Sequence, residues 1–229
     1  IKHLLNDMVH GQAGLSKNSF LKVKFELPVE RKALVSEQMG WRHYPVVIEG
    51  QLIKGELKFQ LTVRVAYSST CPCSGALAKQ AILDEFQKDF SNSNVLSREQ
   101  VEDWLKAKSL LATPHAQRSY ADVKVALNPE SIAPEPIDII DWIEEALQTP
   151  VQAAVKREDE QEFARRNGQN MMFCEDASRR VAKALDQQDR VVDYVLRVDH
   201  RESLHPHNAV SVVAKGIRGG FESKDFPKM

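Results

Sequence analysis

Residues 57–67 read Leu-Lys-Phe-Gln-Leu-Thr-Val-Arg-Val-Ala-Tyr, and this run decides the fold class. Leu57, Phe59, Leu61, Val63, Val65 and Tyr67 fall on one side of an extended chain, with Lys58, Gln60, Thr62 and Arg64 on the other. Side chains of a strand alternate between its two faces, so the run predicts a strand with one face in a core. It leads directly into Ser69-Thr70-Cys71-Pro72-Cys73-Ser74. Two thiols are therefore expected at a strand end, where side chains that do chemistry are often displayed.

The same period recurs on both sides of this run. Ser19 to Leu27 sets Leu21, Val23, Phe25 and Leu27 against Lys22, Lys24 and Glu26. Val46 to Glu49 and Gln51 to Leu57 read as two strands parted by Gly50, and Gln117 to Leu127, Arg190 to Val198 and Ala209 to Lys215 add three more. Helical spacing takes over at Ala76 to Phe90 and at Val101 to Leu111, the second behind a capping box at Ser97-Arg98-Glu99-Gln100. The clearest amphipathic helix is Ile137 to Leu147, with Ile139, Ile140, Ile143 and Leu147 on one side and Asp138, Asp141, Glu144 and Glu145 on the other. A helix pair at Glu158 to Arg166 and Glu175 to Leu185 follows, and the tail Gly216 to Met229 reads as loose. Strands grouped with pairs of helices, without an internal repeat, predict an α+β fold.

Composition bounds the rest. The 229 residues are 42% hydrophobic and 28% charged, enough for one large domain or two small ones sharing a core. No apolar run approaches the roughly 20 residues that span a bilayer, and the start Ile1-Lys2-His3-Leu4-Leu5 lacks a secretory layout. Ile1 is not an initiator methionine, so the chain reads as processed, truncated or part of a longer one. Three cysteines cannot all pair, and reduced thiols make the cytoplasm the expected compartment. A formal net charge of −1 argues against a nucleic-acid surface spread over the molecule and leaves room for a local basic cluster.

Side chains able to hold a metal are scattered along the chain. Cys71, His115, Glu160 and the run Glu202-Ser203-Leu204-His205-Pro206-His207 supply thiolate, imidazole and carboxylate. Such a set suits a borderline-soft divalent ion with one position left open. Taken singly, each has a plainer reading. A cysteine packs as a small hydrophobe, and Glu160 sits in a charge run that is ordinarily a solvated helix face.

The set gains weight from its order. Ser-Thr-Cys-Pro-Cys-Ser at 69–74, His-Ala-Gln-Arg-Ser at 115–119, Lys-Arg-Glu-Asp-Glu at 156–160, Phe-Cys-Glu-Asp at 173–176 and Glu-Ser-Leu-His-Pro-His-Asn-Ala at 202–209 resemble type IB GTP cyclohydrolase, over about Lys17 to Gly216. The resemblance implies the tunnelling fold, in which antiparallel sheets with helices on their outer face assemble into a barrel. It implies a homotetramer with active sites at subunit boundaries, and one catalytic unit of bimodular tunnelling-fold type over residues 1–229. The implied reaction converts GTP and water to 7,8-dihydroneopterin triphosphate and formate, the first step of folate and pterin biosynthesis. A GTP whose purine ring is opened needs no phosphate-cradling Gly-x-x-x-x-Gly-Lys-Ser/Thr loop, and none occurs.

By the same resemblance, Cys71, His115 and Glu160 fall on the metal ligands and His205 on an active-site histidine that relays protons. Cys71, His115 and His205 are then the catalytic residues, around Zn²⁺, Mn²⁺ or Fe²⁺. Glu202 and His207 flank His205 and are candidates to orient the ligands. Glu175 falls on the guanine anchor, where one carboxylate accepts from both N1–H and the exocyclic amine. Arg118, Lys156 and Arg157 are candidates for the triphosphate. One departure is the helical insertion at about 76–112, between Cys71 and His115, and another is that the family pattern extends upstream of Ile1. The rival readings are an enzyme like 7-cyano-7-deazaguanine reductase, with Cys71 as covalent nucleophile and a nicotinamide cofactor, and a noncatalytic purine-binding protein.

Overall fold

A computed structural model of the chain describes residues 1–12, 14–129 and 131–227. One antiparallel sheet contains β1 (Asn18–Lys32), β2 (Met39–Ile53), β3 (Glu56–Thr70), β4 (Ala116–Leu127), β5 (Val191–His200) and β6 (Ala209–Ala214), neighbours in space as in sequence. Around it stand α1 (Lys2–His10), α2 (Pro72–Asp89), α3 (Arg98–Lys108), α4 (Pro136–Leu147), α5 (Arg157–Gln169) and α6 (Cys174–Asp186). The fold is α+β, with the layering the tunnelling-fold resemblance implied.

The alternation in residues 57–67 does what its period dictates. Val63, Val65 and Tyr67 meet Val123, Val125, Leu196 and Val198 in one buried layer, and α4 and α6 cover it with Ile139, Ile140, Ile143, Leu147, Ala177, Val181 and Leu185. Each fully buried Leu or Ile side chain here stabilises the fold by roughly 1.5–3 kcal/mol relative to leaving it in water. α6 starts where Asp176 accepts the Phe173 backbone N–H at 3.1 Å. The capping box at Ser97 forms, with Gln100 N–H donating to Ser97 Oγ at 3.2 Å and Ser97 N–H to Gln100 Oε1 at 2.9 Å.

Three features depart from the sequence reading. Gly50 does not divide two strands but lies within β2, and the turn falls instead at Lys54 and Gly55, both at positive φ as a two-residue hairpin turn requires. A side chain at Gly50 would come within 2.8 Å of Ile1 Cγ2 and 3.0 Å of Leu5 Cδ1, so the glycine is there to seat α1. That helix, led by the buried Leu5, has no counterpart in the sequence reading. The C-terminal tail is the third: a 3₁₀ turn spans Ser223–Asp225, and the Phe221 N–H donates to Asp193 Oδ2 at 2.6 Å. Its Phe221 and Phe226 rings lie under Lys124 Nζ at 5.4 Å and the Arg197 guanidinium at 5.9 Å.

Lys124 and Arg197 belong to the sheet face opposite the helices, which is built of ion pairs. Arg64 grips the buried Asp122 with two hydrogen bonds of 2.6 and 2.8 Å, Arg197 reaches Asp199 at 3.0 Å, and Glu49 takes Lys22 and Lys124 at 2.7 and 3.2 Å. At the far end, Asp159 in the first turn of α5 ties that helix to the β1–β2 loop. Its buried carboxylate accepts from the Val35, Ser36 and Lys156 backbone N–H groups and from Ser36 Oγ.

Burial alone would raise the Asp159 pKa, but the donors of Ser36, Lys156 and Val35 overcome it and hold the group far below the ordinary 3.8. A carboxylate with a depressed folded pKa stabilises fully above its unfolded value, and that contribution disappears as pH falls below it. Asp159→Asn is expected to lower the melting temperature at pH 7 by roughly 5 °C. The same substitution should flatten the loss of stability below pH 3.8, read by thermal melts across pH. Parallel acid limbs for the two proteins would exclude this role.

Candidate active site

Cys71 closes β3 and caps α2, where Pro72 takes the first helical position. Its backbone N–H donates to the His115 carbonyl at 3.2 Å, one step beyond the Thr70 and Ala116 pair of the β3–β4 ladder. The His115 N–H donates in turn to Ser74 Oγ at 3.1 Å, in the first turn of α2. Residues 72–114 therefore leave and re-enter the sheet at one point, which keeps the backbones of Cys71 and His115 adjacent. Trp104 Nε1 on Asp89 at 2.7 Å, and Lys108 on Glu85 and Asp89 at 2.8 and 2.6 Å, hold α2 and α3 together as a hairpin.

The segment before α6 docks at the same strand end, where the Met172 N–H donates to the Thr70 carbonyl at 3.1 Å. Glu175 thus stands exposed in the first turn of α6, close to the Cys71 root. Its own backbone N–H and the Cys174 thiol, 3.2 Å away, lower its pKa, so the carboxylate is ionised at neutral pH. Burial pushes the Cys174 thiol up to about 12, with the hydrogen bond to Glu175 adding to it, so this cysteine is packing rather than nucleophile.

Beyond β5, Glu202 brings Oε2 to 3.8 Å from His115 Nδ1. His205 and His207 are exposed in the β5–β6 loop with their rings stacked at 5.2 Å. Glu160, Arg157 and Lys156 are exposed around the start of α5, and Arg118 is exposed on β4. The chain therefore brings the His115 and Glu202 side chains together at the strand end where the Cys71 backbone is bonded, with the first turn of α6 docked alongside. Glu160 and His205 stand on separate exposed elements, and among the described residues no three His, Cys, Asp or Glu side chains lie close enough to hold a metal ion.

A divalent metal fits the donor chemistry at this point: a part-exposed thiol and imidazole whose backbones are bonded to one another. Thr70 Oγ1, at the root of Cys71, is buried with no hydrogen-bond partner among the described residues and leaves polar capacity there. Cys71 and His115 would be the anchoring pair.

A buried polar cluster lies beneath the strand end, and the sequence reading passes over it. Ser69 Oγ lies 2.7 Å from Ser119 Oγ and accepts from Gln117 Nε2 at 2.9 Å, while Gln117 Oε1 lies 3.0 Å from His115 Nδ1. Next to them Tyr67 Oη lies 2.7 Å from His200 Nε2. Burial lowers the His200 pKa to about 4, against the pull of Glu175 and Asp199, so the ring is neutral and shares a single hydrogen bond with the tyrosine hydroxyl. A signal is present in the sequence: Tyr67, Ser69, Gln117, Ser119 and His200 are polar residues in phase with the apolar, helix-facing positions of their strands.

Thiol, imidazole and carboxylate at the open end of an antiparallel sheet are the groups that metal-assisted hydrolases employ. The chain belongs to the type I GTP cyclohydrolase family: the family described as "Type I GTP cyclohydrolase folE2" matches residues 1–211. It is 47% identical over 220 residues to the GTP cyclohydrolase FolE2 of Pseudoalteromonas translucida, covering 96% of this chain and 72% of the relative. The protein of the same name from Hydrogenovibrio crunogenus is 44% identical over 228 residues, 98% of this chain and 72% of the relative. That of Bdellovibrio bacteriovorus is 51% identical over 205 residues, 89% and 66% of the two chains.

Proposed function

We propose that this member of the family opens GTP at a composite, metal-assisted site rooted on Cys71 and His115. The activity is that of a GTP cyclohydrolase: GTP and water give 7,8-dihydroneopterin triphosphate and formate, at the entry to folate and pterin biosynthesis. The observation that carries the residue assignment is the bond between Cys71 N–H and the His115 carbonyl, with the Glu175 carboxylate presented at the same strand end.

Cys71, His115 and Glu160 would hold Zn²⁺, Mn²⁺ or Fe²⁺, which when bound supplies a Lewis acid and lowers the pKa of water. Glu175 accepts from guanine N1–H and the exocyclic amine, a pairing adenine cannot offer because its N1 carries no hydrogen. Arg118, Lys156 and Arg157 take the triphosphate. His205 moves protons during ring opening at C8, with Glu202 and His207 orienting the histidines around it.

Assembly completes the arrangement. Among the described residues Cys71, His115, Glu160 and His205 form no metal-holding group by themselves, which supports sites completed at subunit boundaries, as in a homotetramer. Among the described residues the outer edges of β1 and β6 are unpaired, and Trp41 on β2 is 60% exposed, as expected of surfaces that copies cover. The chain acts as one catalytic unit, with the α2–α3 hairpin an outlying insertion. Among the described residues no helix is long and apolar enough to cross a membrane, and three free cysteines suit the cytoplasm.

The deciding experiment follows formate and dihydroneopterin triphosphate released from GTP by chelator-stripped protein, before and after separate additions of Mn²⁺, Zn²⁺ and Fe²⁺. Both products are expected only with metal. Turnover of fully stripped protein, or none with any ion in folded and assembled protein, would overturn the metal-assisted assignment.

A further inference from the structure

We infer that Gln117 is a positioning residue that holds His115 with its proton on Nδ1, leaving Nε2 as the ring's free lone pair. A neutral imidazole carries one proton on either nitrogen, and the partner of one nitrogen decides which nitrogen can donate electrons. Two acceptors converge on Nδ1: Gln117 Oε1 at 3.0 Å and Glu202 Oε2 at 3.8 Å. A carboxylate that close favours a hydrogen at Nδ1 over a bare lone pair.

The amide is fixed from behind. Gln117 is 9% exposed and projects from β4 among buried side chains, and its Nε2 donates to Ser69 Oγ at 2.9 Å. Ser69 is held by Ser119 at 2.7 Å, and both serines are wholly buried on neighbouring strands. One serine hydroxyl donates to the other, so each oxygen of the relay has a partner. Turning the amide over would aim an N–H at His115 Nδ1, strip that nitrogen of its proton and set the donor beside a ring that Glu202 wants protonated there. The two serines thus act on His115 through Gln117. The sheet register carries the clamp, because Ser69 pairs with Gln117 and Tyr67 with Ser119.

The clamp depends on the ligand role of His115 only for its consequence, so the test separates the two. In the whole chelator-stripped chain labelled with ¹⁵N-histidine, long-range ¹H–¹⁵N spectra report which nitrogen bears the proton, and His115→Ala identifies the signal. Nδ1–H is expected in the wild type and in Glu202→Gln, with a shift toward Nε2–H in Gln117→Leu. Titrations with Mn²⁺ and Zn²⁺ alone should show roughly 10–100-fold weaker binding in Gln117→Leu. Gln117→Glu, which restores an acceptor, should recover most of that loss, whereas a purely packing role would make the buried carboxylate no better than leucine.

A bare Nδ1 in the wild type overturns the inference, as does unchanged metal affinity in folded Gln117→Leu. If that variant fails to fold, the wild-type tautomer and the Gln117→Glu affinity decide alone. Should the wild type bind neither ion, the ligand assignment of His115 fails while the tautomer still tests the clamp.

Discussion

Cys71→Ala is expected to fold and assemble normally, to lose its divalent ion on dialysis, and to open GTP roughly 1,000-fold more slowly than the wild type. The size follows from the several kcal/mol of charge stabilisation that a Lewis acid supplies, at about 1.4 kcal/mol per factor of ten. The fold is spared because the thiol is part-exposed at a helix N-terminus, and its structural contacts are made by the backbone, which alanine keeps. Metal content by elemental analysis, formate release and circular dichroism measure the three parts. A metal-free variant at full activity would sink the assignment of Cys71, and an unfolded one would move Cys71 from chemistry to structure. Cys73→Ala, in the first turn of α2 and exposed, should leave metal content and rate within a factor of about three.

The second large effect belongs to Glu175. Two hydrogen bonds to a charged acceptor are worth about 1.5–3 kcal/mol each, so Glu175→Ala should lower kcat/KM for GTP by roughly 100- to 10,000-fold. Glutamine should not rescue it, because its amide presents one acceptor and one donor to two guanine donors. The cost in stability is small by comparison, roughly 1 kcal/mol or less from a lost charge at the α6 N-terminus. Steady-state kinetics beside thermal melts separate the two. Wild-type kcat/KM in Glu175→Gln would exclude the bidentate role.

How much of this is legible before folding differs from element to element. The strand at residues 57–67 and the helix at 137–147 declare themselves because each has one face in the core, and the period of apolar residues records that face directly. α1 is invisible because its fit depends on the absence of a side chain at Gly50, a fact about a distant strand that no local pattern carries. The tail reads as loose for a related reason: its two phenylalanines are anchored by Lys124 and Arg197, cations that look like solvent-facing residues in sequence.

At the site, the motifs shared with the family bring out Cys71, His115, Glu160, Glu175 and His205, but a motif cannot tell whether one chain gathers them. The strand ladder joins Cys71 to His115, and nothing local joins them to Glu160. Ser69, Gln117 and Ser119 escape notice because a polar residue at an inward position looks like a lapse in a hydrophobic pattern until its partners are seen. Buried polar groups persist only when paired. Such lapses on neighbouring strands are thus best read together.

The α2–α3 hairpin leaves and returns through Cys71 and His115, so its two roots are stitched by the sheet whatever lies between them. Loop-closure cost rises only slowly with length when the ends are already held. The tip at Ser91-Asn92-Ser93-Asn94 is consequently a place where the chain can be cut and new termini opened, or a reporter domain grafted. A fluorophore there would sit at the tip of a hairpin whose two roots are Cys71 and His115, a built-in mast for watching substrate arrive.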